Sequence, residues 1–318
     1  MTSSRASSSP QPQAVKPAVI ALYGPTACGK SVVADALLRR LDGEVVSADS
    51  AALYAGLPIL TAAPDHPARL VGIVPLSEDV SVGSYQQLAH QAIDEIVASG
   101  RTALVVGGTG LYLRAALSSL QLPPPPADGV RERWERVYDD AGAEAAHATL
   151  VSLDPAAAER IHPNDRRRVV RALELNEAGA SLAPGQDQLW TAAPRHPTLV
   201  VALALPLEAL DARIEERTLR MAAAGAAAEA RRAWQQPLSQ TARNVLGLEA
   251  FATLPEDEAV VEVTRATRRL ARYQRKWQRK LTVAATLAAG RAPEEIADEI
   301  AELCSAALGR TGKHLSGR

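Results

Sequence analysis

The octapeptide Gly24-Pro25-Thr26-Ala27-Cys28-Gly29-Lys30-Ser31 follows the pattern G-x-x-x-x-G-K-[ST], between a strand-like run, Val19 to Tyr23, and a helical pattern. That context separates a phosphate-binding loop from a chance glycine-rich turn. Glycines let the backbone wrap closely around phosphate oxygens, and the loop amides and the helix start at Ser31 present positive dipoles. Lys30 adds a point charge, and the Ser31 hydroxyl can hold a magnesium ion. The loop alone does not distinguish a nucleoside triphosphate such as ATP from a pyrophosphate ester, because both present similar oxygens. The rest of the chain has to decide.

A chain of 318 residues, 47% of them hydrophobic, can bury a large core as one big domain or as a domain carrying an insertion. The formal net charge of -1 excludes a uniformly basic nucleic-acid coat but permits local basic patches offset by acidic stretches. Cys28 and Cys304, the two cysteines, give neither a disulfide framework nor zinc spacing, so a reducing cytoplasm is expected. No apolar run reaches the roughly 18 residues of a membrane span, and Met1 to Pro17, rich in Ser, Pro and Gln, lacks a signal-peptide core. Residues 1–16 are expected to form a disordered tail.

Short apolar, β-branched runs recur at Val19 to Tyr23, Glu44 to Ser47, Leu70 to Val74, Ala103 to Val106 and Thr198 to Leu203. Their near-continuous hydrophobicity suits strands covered on both faces, and Ser31 to Leu41 and Tyr85 to Ser99 have the spacing of crossover helices. The expected fold is α/β: a P-loop NTPase-like parallel sheet flanked by helices, spanning 17–121 and 197–308. Between its two parts, at 122–196, the proline run Pro123 to Pro126 and mostly helical sequence from Val130 to Glu177, broken at Asp154-Pro155 and His162-Pro163, predict an inserted helical subdomain. A helical C-terminal region follows: a long helix from about Leu207 to Trp234, a turn around Gly247, an acidic loop Pro255 to Glu258 and a strongly basic helix. Residues 309–318 read as a flexible tail.

Two further features fall at strand ends. Asp49, in Val45-Val46-Ser47-Ala48-Asp49-Ser50, would face the same crevice as the phosphate loop, since open α/β sheets bind ligands beyond the carboxyl ends of their strands. An aspartate there serves equally well as an N-cap or turn residue. Gly107-Gly108-Thr109-Gly110 makes a second strand-to-helix turn at that edge, able to present the Thr109 hydroxyl to a substrate or simply to let helix and strand pack closely. His162, before Pro163, reads as a turn residue.

GPTACGKS, then SADS and Tyr54, then GGTGLYLRAAL, then DPAAAERIHPNDRRRVVRALE (Asp154 to Glu174), then RIEERTLRM (Arg213 to Met221) occur in an order and spacing that resemble the tRNA dimethylallyltransferases, or tRNA isopentenyltransferases, over about residues 18–281. The resemblance implies that Gly24 to Ser31 hold the pyrophosphate of dimethylallyl diphosphate with magnesium on Ser31. It implies that Asp49 accepts a proton from the exocyclic amine of an adenine. Lys30, Thr109 and Arg217 would position the substrates and neutralise the departing pyrophosphate. Asp49, Ser50 and Thr109 would face the tRNA nucleotide, and Arg167, Arg168 and Arg171 would contact the tRNA from the helical insertion. A monomer acting on tRNA, with no membrane partner, is expected.

The chemistry needs such groups. An adenine amine is a poor nucleophile, so a base that removes its proton as the bond forms helps the attack. Charge growing on the leaving pyrophosphate calls for fixed cations and amides. A base in an anticodon loop is already single-stranded and can be drawn into a pocket at modest cost. The chain also departs from the family pattern. Ala52 and Ala55 replace the glutamine and basic residue of SADSxQVYRG, and Ala63 replaces the lysine of TAKP. Ala68-Arg69-Leu70 stands for His-His-Leu, Gly247-Leu248 for Gly-Tyr, and Tyr273-Gln274-Arg275-Lys276-Trp277 for RQxTW.

Arg213, Arg217 and Arg220 share one helix face, where an ordinary reading is a solvated stripe paired with Asp211, Glu215 or Glu216. From Thr264 to Leu281 the chain carries Arg265, Arg268, Arg269, Arg272, Arg275, Lys276, Arg279 and Lys280 with no acidic residue. Ala266, Leu270, Tyr273, Trp277 and Leu281 would form its docking stripe. Such a run suits a polyanion, which makes Arg268, Arg272 and Arg275 candidates for the tRNA backbone. Other readings are prenyl transfer to a free adenine nucleotide, against which the basic C-terminal helix stands; a P-loop kinase, against which the lack of an acidic Walker B strand end stands; and a tRNA-binding protein without catalysis, against which Lys30, Ser31, Asp49 and Thr109 stand.

Overall fold

The computed structural model describes residues 17–64, 66–122, 127, 129–182 and 192–310. The expected N-terminal tail and the run Pro123 to Pro126 lie outside them. β1 (Val19–Tyr23) is buried along its whole length, as a strand of unbroken apolar residues must be. It pairs in parallel with β4 (Thr102–Gly107) on one side and β5 (Thr198–Ala204) on the other, with Tyr23 opposite Gly107 and Ala202. β2 (Gly43–Ser47) adds to β4, β3 (Ala68–Arg69) to β2 and β6 (Ala285–Ala288) to β5, giving the parallel order β3-β2-β4-β1-β5-β6. The fold is the expected P-loop-like α/β sheet flanked by helices.

Helices α1 (Lys30–Leu38), α3 (Val82–Ala98) and α4 (Gly110–Leu117) cover the sheet, and the one-turn α2 (Pro58–Thr61) sits in the loop beyond β2. α1 follows the phosphate loop because Gly29 adopts φ 100° at its N-cap, a conformation that favours glycine. α3 starts at a capping box in which Ser81 and Ser84 exchange side-chain and backbone hydrogen bonds.

The chain divides into two compact units, 1–119 with 193–318 and 120–192. In the second, α5 (Val130–Ala141), α6 (Ala143–Leu153), α7 (Pro155–Ala158) and α8 (Arg166–Glu177) enclose Tyr138, Leu150, Ile161, Val169, Val170 and Leu173. Asp154 caps α7 through the amide of Ala157, and Asp165 caps α8 through that of Arg168. The Nδ1 atom of His162 accepts the Asn164 N–H at 3.1 Å, which is a turn contact.

The C-terminal part of the first unit departs from the sequence reading in several places. The stretch 207–234 is two helices, α9 (Leu207–Ala223) and α10 (Ala226–Trp234), separated at Gly225 with φ 96°. After α11 (Gln240–Arg243) and α12 (Leu248–Thr253), the expected acidic loop is the first turn of α13 (Glu256–Gln278), where Glu256, Asp257 and Glu258 meet the positive end of the helix dipole. α13 docks through Ala259, Val263, Thr267, Ala271 and Gln274, one position around the helix from most of the expected stripe; Trp277 of that stripe does pack, against Gly110, while Tyr273 is 55% exposed. Small residues set this face, because α9 and the phosphate loop approach it closely. Leu70 to Val74 is no strand: Leu70 and Gly72 both take φ 64°, and Val74 makes a single bridge to Tyr54. β6 adds a strand where the sequence shows no strand-like run, and α14 (Pro293–Arg310) runs past Leu308 into the expected tail.

Candidate active site

Three loops meet at the carboxyl edge of the sheet. Tyr23 and Gly107 lie opposite each other in register, and the Gly24 N–H donates to the Gly107 carbonyl at 3.4 Å. The Ala48 N–H donates to the Val106 carbonyl at 2.8 Å, so the phosphate loop, Asp49 and Gly107 to Gly110 start side by side. A Cβ on Gly107 would collide with the Ala48 carbonyl, and one on Gly110 would collide with the ring of Trp277. The glycines of this turn are therefore required for close approach, in addition to any role with substrate.

In the phosphate loop, Lys30 Nζ donates to the carbonyls of Gly24 at 2.9 Å and Pro25 at 2.8 Å. The ammonium is thus tethered over the loop with two of its three donors used. Ser31 lies in the first turn of α1 with its side chain exposed, an oxygen donor suited to a hard cation. Cys28 is fully buried in the sheet core, and burial pushes its thiol pKa up, against the lowering effect of Lys30. It is a packing residue.

α9 sends two arginines to the loop. Arg213 Nη1 donates to the Cys28 carbonyl at 3.3 Å, and Arg217 Nη1 donates to Thr26 Oγ1 at 3.1 Å. Burial lowers the pKa of Arg217, and the nearby Asp49 carboxylate opposes that effect. Of the three arginines on this face, Arg220 alone behaves as a solvated stripe would, 4.0 Å from Glu216 with both side chains exposed.

Asp49 Oδ1 accepts the Ala51 N–H at 2.9 Å, so the turn reading of this residue holds alongside its place in the crevice. Its partner in shaping that strand end is Tyr85, whose hydroxyl donates to the Ser47 carbonyl at 3.0 Å and whose pKa burial drives up. Thr109 takes the N-cap position of α4 without making a side-chain cap bond.

Gln274 and Trp277 complete the site, and sequence reasoning missed their part in it. Gln274 Oε1 accepts the Thr26 N–H at 2.7 Å, and its backbone carbonyl accepts the Tyr23 hydroxyl at 2.8 Å. A Cβ at Gly108 would meet Gln274 Nε2 at 2.6 Å. The signal was present: YQRKW retains the glutamine and tryptophan of RQxTW, although the segment as a whole departs from it. Of the other departures, Ala52 is buried, and Ala55 lines an open pocket of about 680 Å³ with Leu76, Glu229, Arg232 and Gln236.

The arginines expected to meet tRNA sit in different environments. Arg268 reaches Glu215 at 2.8 Å and Arg272 reaches Asp211 at 3.0 Å, both on α9, so the unbroken basic run in sequence is partly neutralised in space. Arg275 has no such partner among the described residues. In the helical unit Arg167 and Arg168 are exposed, while Arg171, with Arg131, holds the buried Glu174.

The sequence pattern of the family described as IPP transferase matches residues 52–281. The tRNA dimethylallyltransferase of Salinispora tropica is 43% identical over 271 residues, 81% of this chain and 84% of that protein. That of Kineococcus radiotolerans is 41% identical over 80% of this chain and 86% of its own length. The structure of the full-length tRNA isopentenylpyrophosphate transferase from Bacillus halodurans superposes with a TM-score of 0.66 at 29% identity, covering 93% of this chain and 98% of that one. With a phosphate loop, an aspartate and a glycine-rich turn on one sheet edge and these likenesses over most of its length, the chain belongs to the IPP transferase family.

Proposed function

We propose that the chain is a tRNA dimethylallyltransferase: it transfers a dimethylallyl group from dimethylallyl diphosphate to the exocyclic amine of an adenosine beside the anticodon of tRNA, releasing pyrophosphate. The observation that carries this is Arg217, which touches Thr26 of the phosphate loop and senses Asp49. One cation thus stands between the place for a leaving anion and the place for a base.

In this reading the loop amides, Lys30 and Arg217 hold the diphosphate, and their charge is worth more as negative charge grows on the bridging oxygen. Magnesium, for which the Ser31 hydroxyl is a fitting donor, would share that neutralisation. The amine lone pair forms the new bond to the allylic carbon, the carbon–oxygen bond breaks toward pyrophosphate, and Asp49 takes the amine proton. Thr109, which makes no side-chain cap bond, and Ser50 would present their hydroxyls to the tRNA nucleotide. Exposed Arg167 and Arg168 offer charge to the tRNA backbone, with Arg171 behind them. No helix among the described residues is long and apolar enough to cross a membrane, and we take the enzyme to act in the cytoplasm, as a monomer.

The test incubates the purified chain with labelled dimethylallyl diphosphate and magnesium, together with unmodified tRNA or with AMP. Label in tRNA alone is expected. Label in AMP would move the assignment to free nucleotides, and ATP consumption without prenyl transfer would make the chain a kinase.

A further inference from the structure

Tyr85 lies on α3, a helix that supplies none of the site residues named above, and it is completely buried. Its hydroxyl donates to the Ser47 carbonyl at 3.0 Å, two residues before Asp49. From the other side its ring packs on that of Tyr112 in the first turn of α4, with centroids 4.6 Å apart and planes tilted by 45°. The phenol is thus held at both ends.

The hydroxyl meets a need that the sheet creates. β2 pairs with β4 as far as Ser47, opposite Val106, and the Ala48 N–H then donates to the Val106 carbonyl. That N–H and the Ser47 carbonyl belong to one trans peptide, so they point in opposite directions. The carbonyl faces the β3 side. There β3 has already ended, its last register pair being Val46 with Arg69, and a buried carbonyl needs a donor from elsewhere. Tyr85 supplies it. Burial, then Tyr112 and the nearby Asp49 carboxylate, raise the pKa of the hydroxyl, which keeps it protonated and donating.

We propose that Tyr85 is a positioning residue for the transfer reaction: through the Ser47 carbonyl it fixes the exit of β2 and, two residues on, the place of the Asp49 carboxylate. The proposal rests on the reading of Asp49 as the base of a prenyl transfer. β4 holds one side of the Ser47–Ala48 peptide and Tyr85 the other, so the backbone leading into Asp49 is tied from two directions. Without the hydroxyl only the β4 side remains.

The experiment compares full-length wild type, Tyr85→Phe, Asp49→Asn and the double variant. Tyr85→Phe keeps the ring against Tyr112 and removes the hydroxyl alone, and thermal melts establish folding. Single-turnover transfer is measured with saturating dimethylallyl diphosphate, magnesium and tRNA, and KM for the diphosphate is measured separately. Hydrogen exchange is followed by mass spectrometry on peptides covering Glu44 to Ala52 and Gly24 to Ser31. Tyr85→Phe is expected to slow transfer about tenfold, as a small misplacement of a reacting group does, with KM for the diphosphate unchanged. Exchange in Glu44 to Ala52 should quicken about five- to tenfold, the loss of one hydrogen bond, while the phosphate loop exchanges as in wild type. In the Asp49→Asn background the same substitution should cost no further rate, because a residue that acts through another is not additive with it. An equal loss in both backgrounds, a loss expressed in KM alone, or unchanged exchange in Glu44 to Ala52 overturns the proposal. Absence of transfer by wild type would count against the prenyl-transfer reading alone, and the exchange rates would still decide whether Tyr85 holds the strand end.

Discussion

Gln274 and Thr26 are 248 residues apart in sequence and joined by a 2.7 Å hydrogen bond from the loop amide to the Gln274 side-chain oxygen. Gln274 is 4% exposed, and truncating it removes the partner of the part-buried Thr26 N–H at a cost of about 1 kcal/mol. Gln274→Ala is therefore expected to lower the unfolding midpoint in urea and to raise KM for dimethylallyl diphosphate by loosening the loop. Wild-type stability and KM together would make this contact incidental.

Asp49→Asn keeps an oxygen for the Ala51 amide and removes the base. The variant should fold normally, bind diphosphate as wild type does and lose about two to four orders of magnitude in turnover. Single-turnover rates with saturating diphosphate and tRNA measure this. Near-wild-type turnover would leave Asp49 as a turn residue only.

Lys30→Ala should behave differently, because the charge it meets is present in the bound diphosphate and increases as pyrophosphate departs. Weaker diphosphate binding and slower transfer are both expected. Unchanged affinity, measured by calorimetry, would move the leaving group away from this loop.

The contrast between β1 and α13 shows what the sequence made readable. β1, the phosphate loop and the α1 start are local: the apolar run, the glycines and the lysine carry their own geometry within thirteen residues, Val19 to Ser31. The docking face of α13 is set by what lies opposite. Thr267, Ala271 and Gln274 are buried because α9 and the phosphate loop come close there, while larger Tyr273 stays outside. Hydrophobic periodicity favours the larger side chains and so, Trp277 apart, selects the wrong stripe. The pairing of Arg268 and Arg272 with Asp211 and Glu215 was hidden for the same reason, since the acids lie on another helix. β6 is only Ala-Thr-Leu-Ala, with one buried residue, and a strand so short and small carries no period to read.

Asp94 on α3 accepts from Arg195 Nη2 at 2.7 Å, and His196 Nε2 lies 2.6 Å from its other oxygen. The hydrogen bond from Arg195, followed by that from His196, holds the Asp94 carboxyl below the usual carboxylate range. A pKa depressed in the folded state contributes stability that is present above the unfolded value, about 3.9, and is lost as pH falls through the lower folded value. Asp94 is 44% exposed, so solvent screening limits the effect to about 0.5 to 1 kcal/mol. Asp94→Asn should therefore be less stable than wild type by about that amount at pH 7 and 5, with the gap closing as pH falls below about 4. Urea unfolding at pH 7, 5 and 3.5 reads the difference directly. A gap that persists undiminished at the lowest pH would assign the loss to packing at the α3–β5 junction and leave the Asp94 charge without a part in stability.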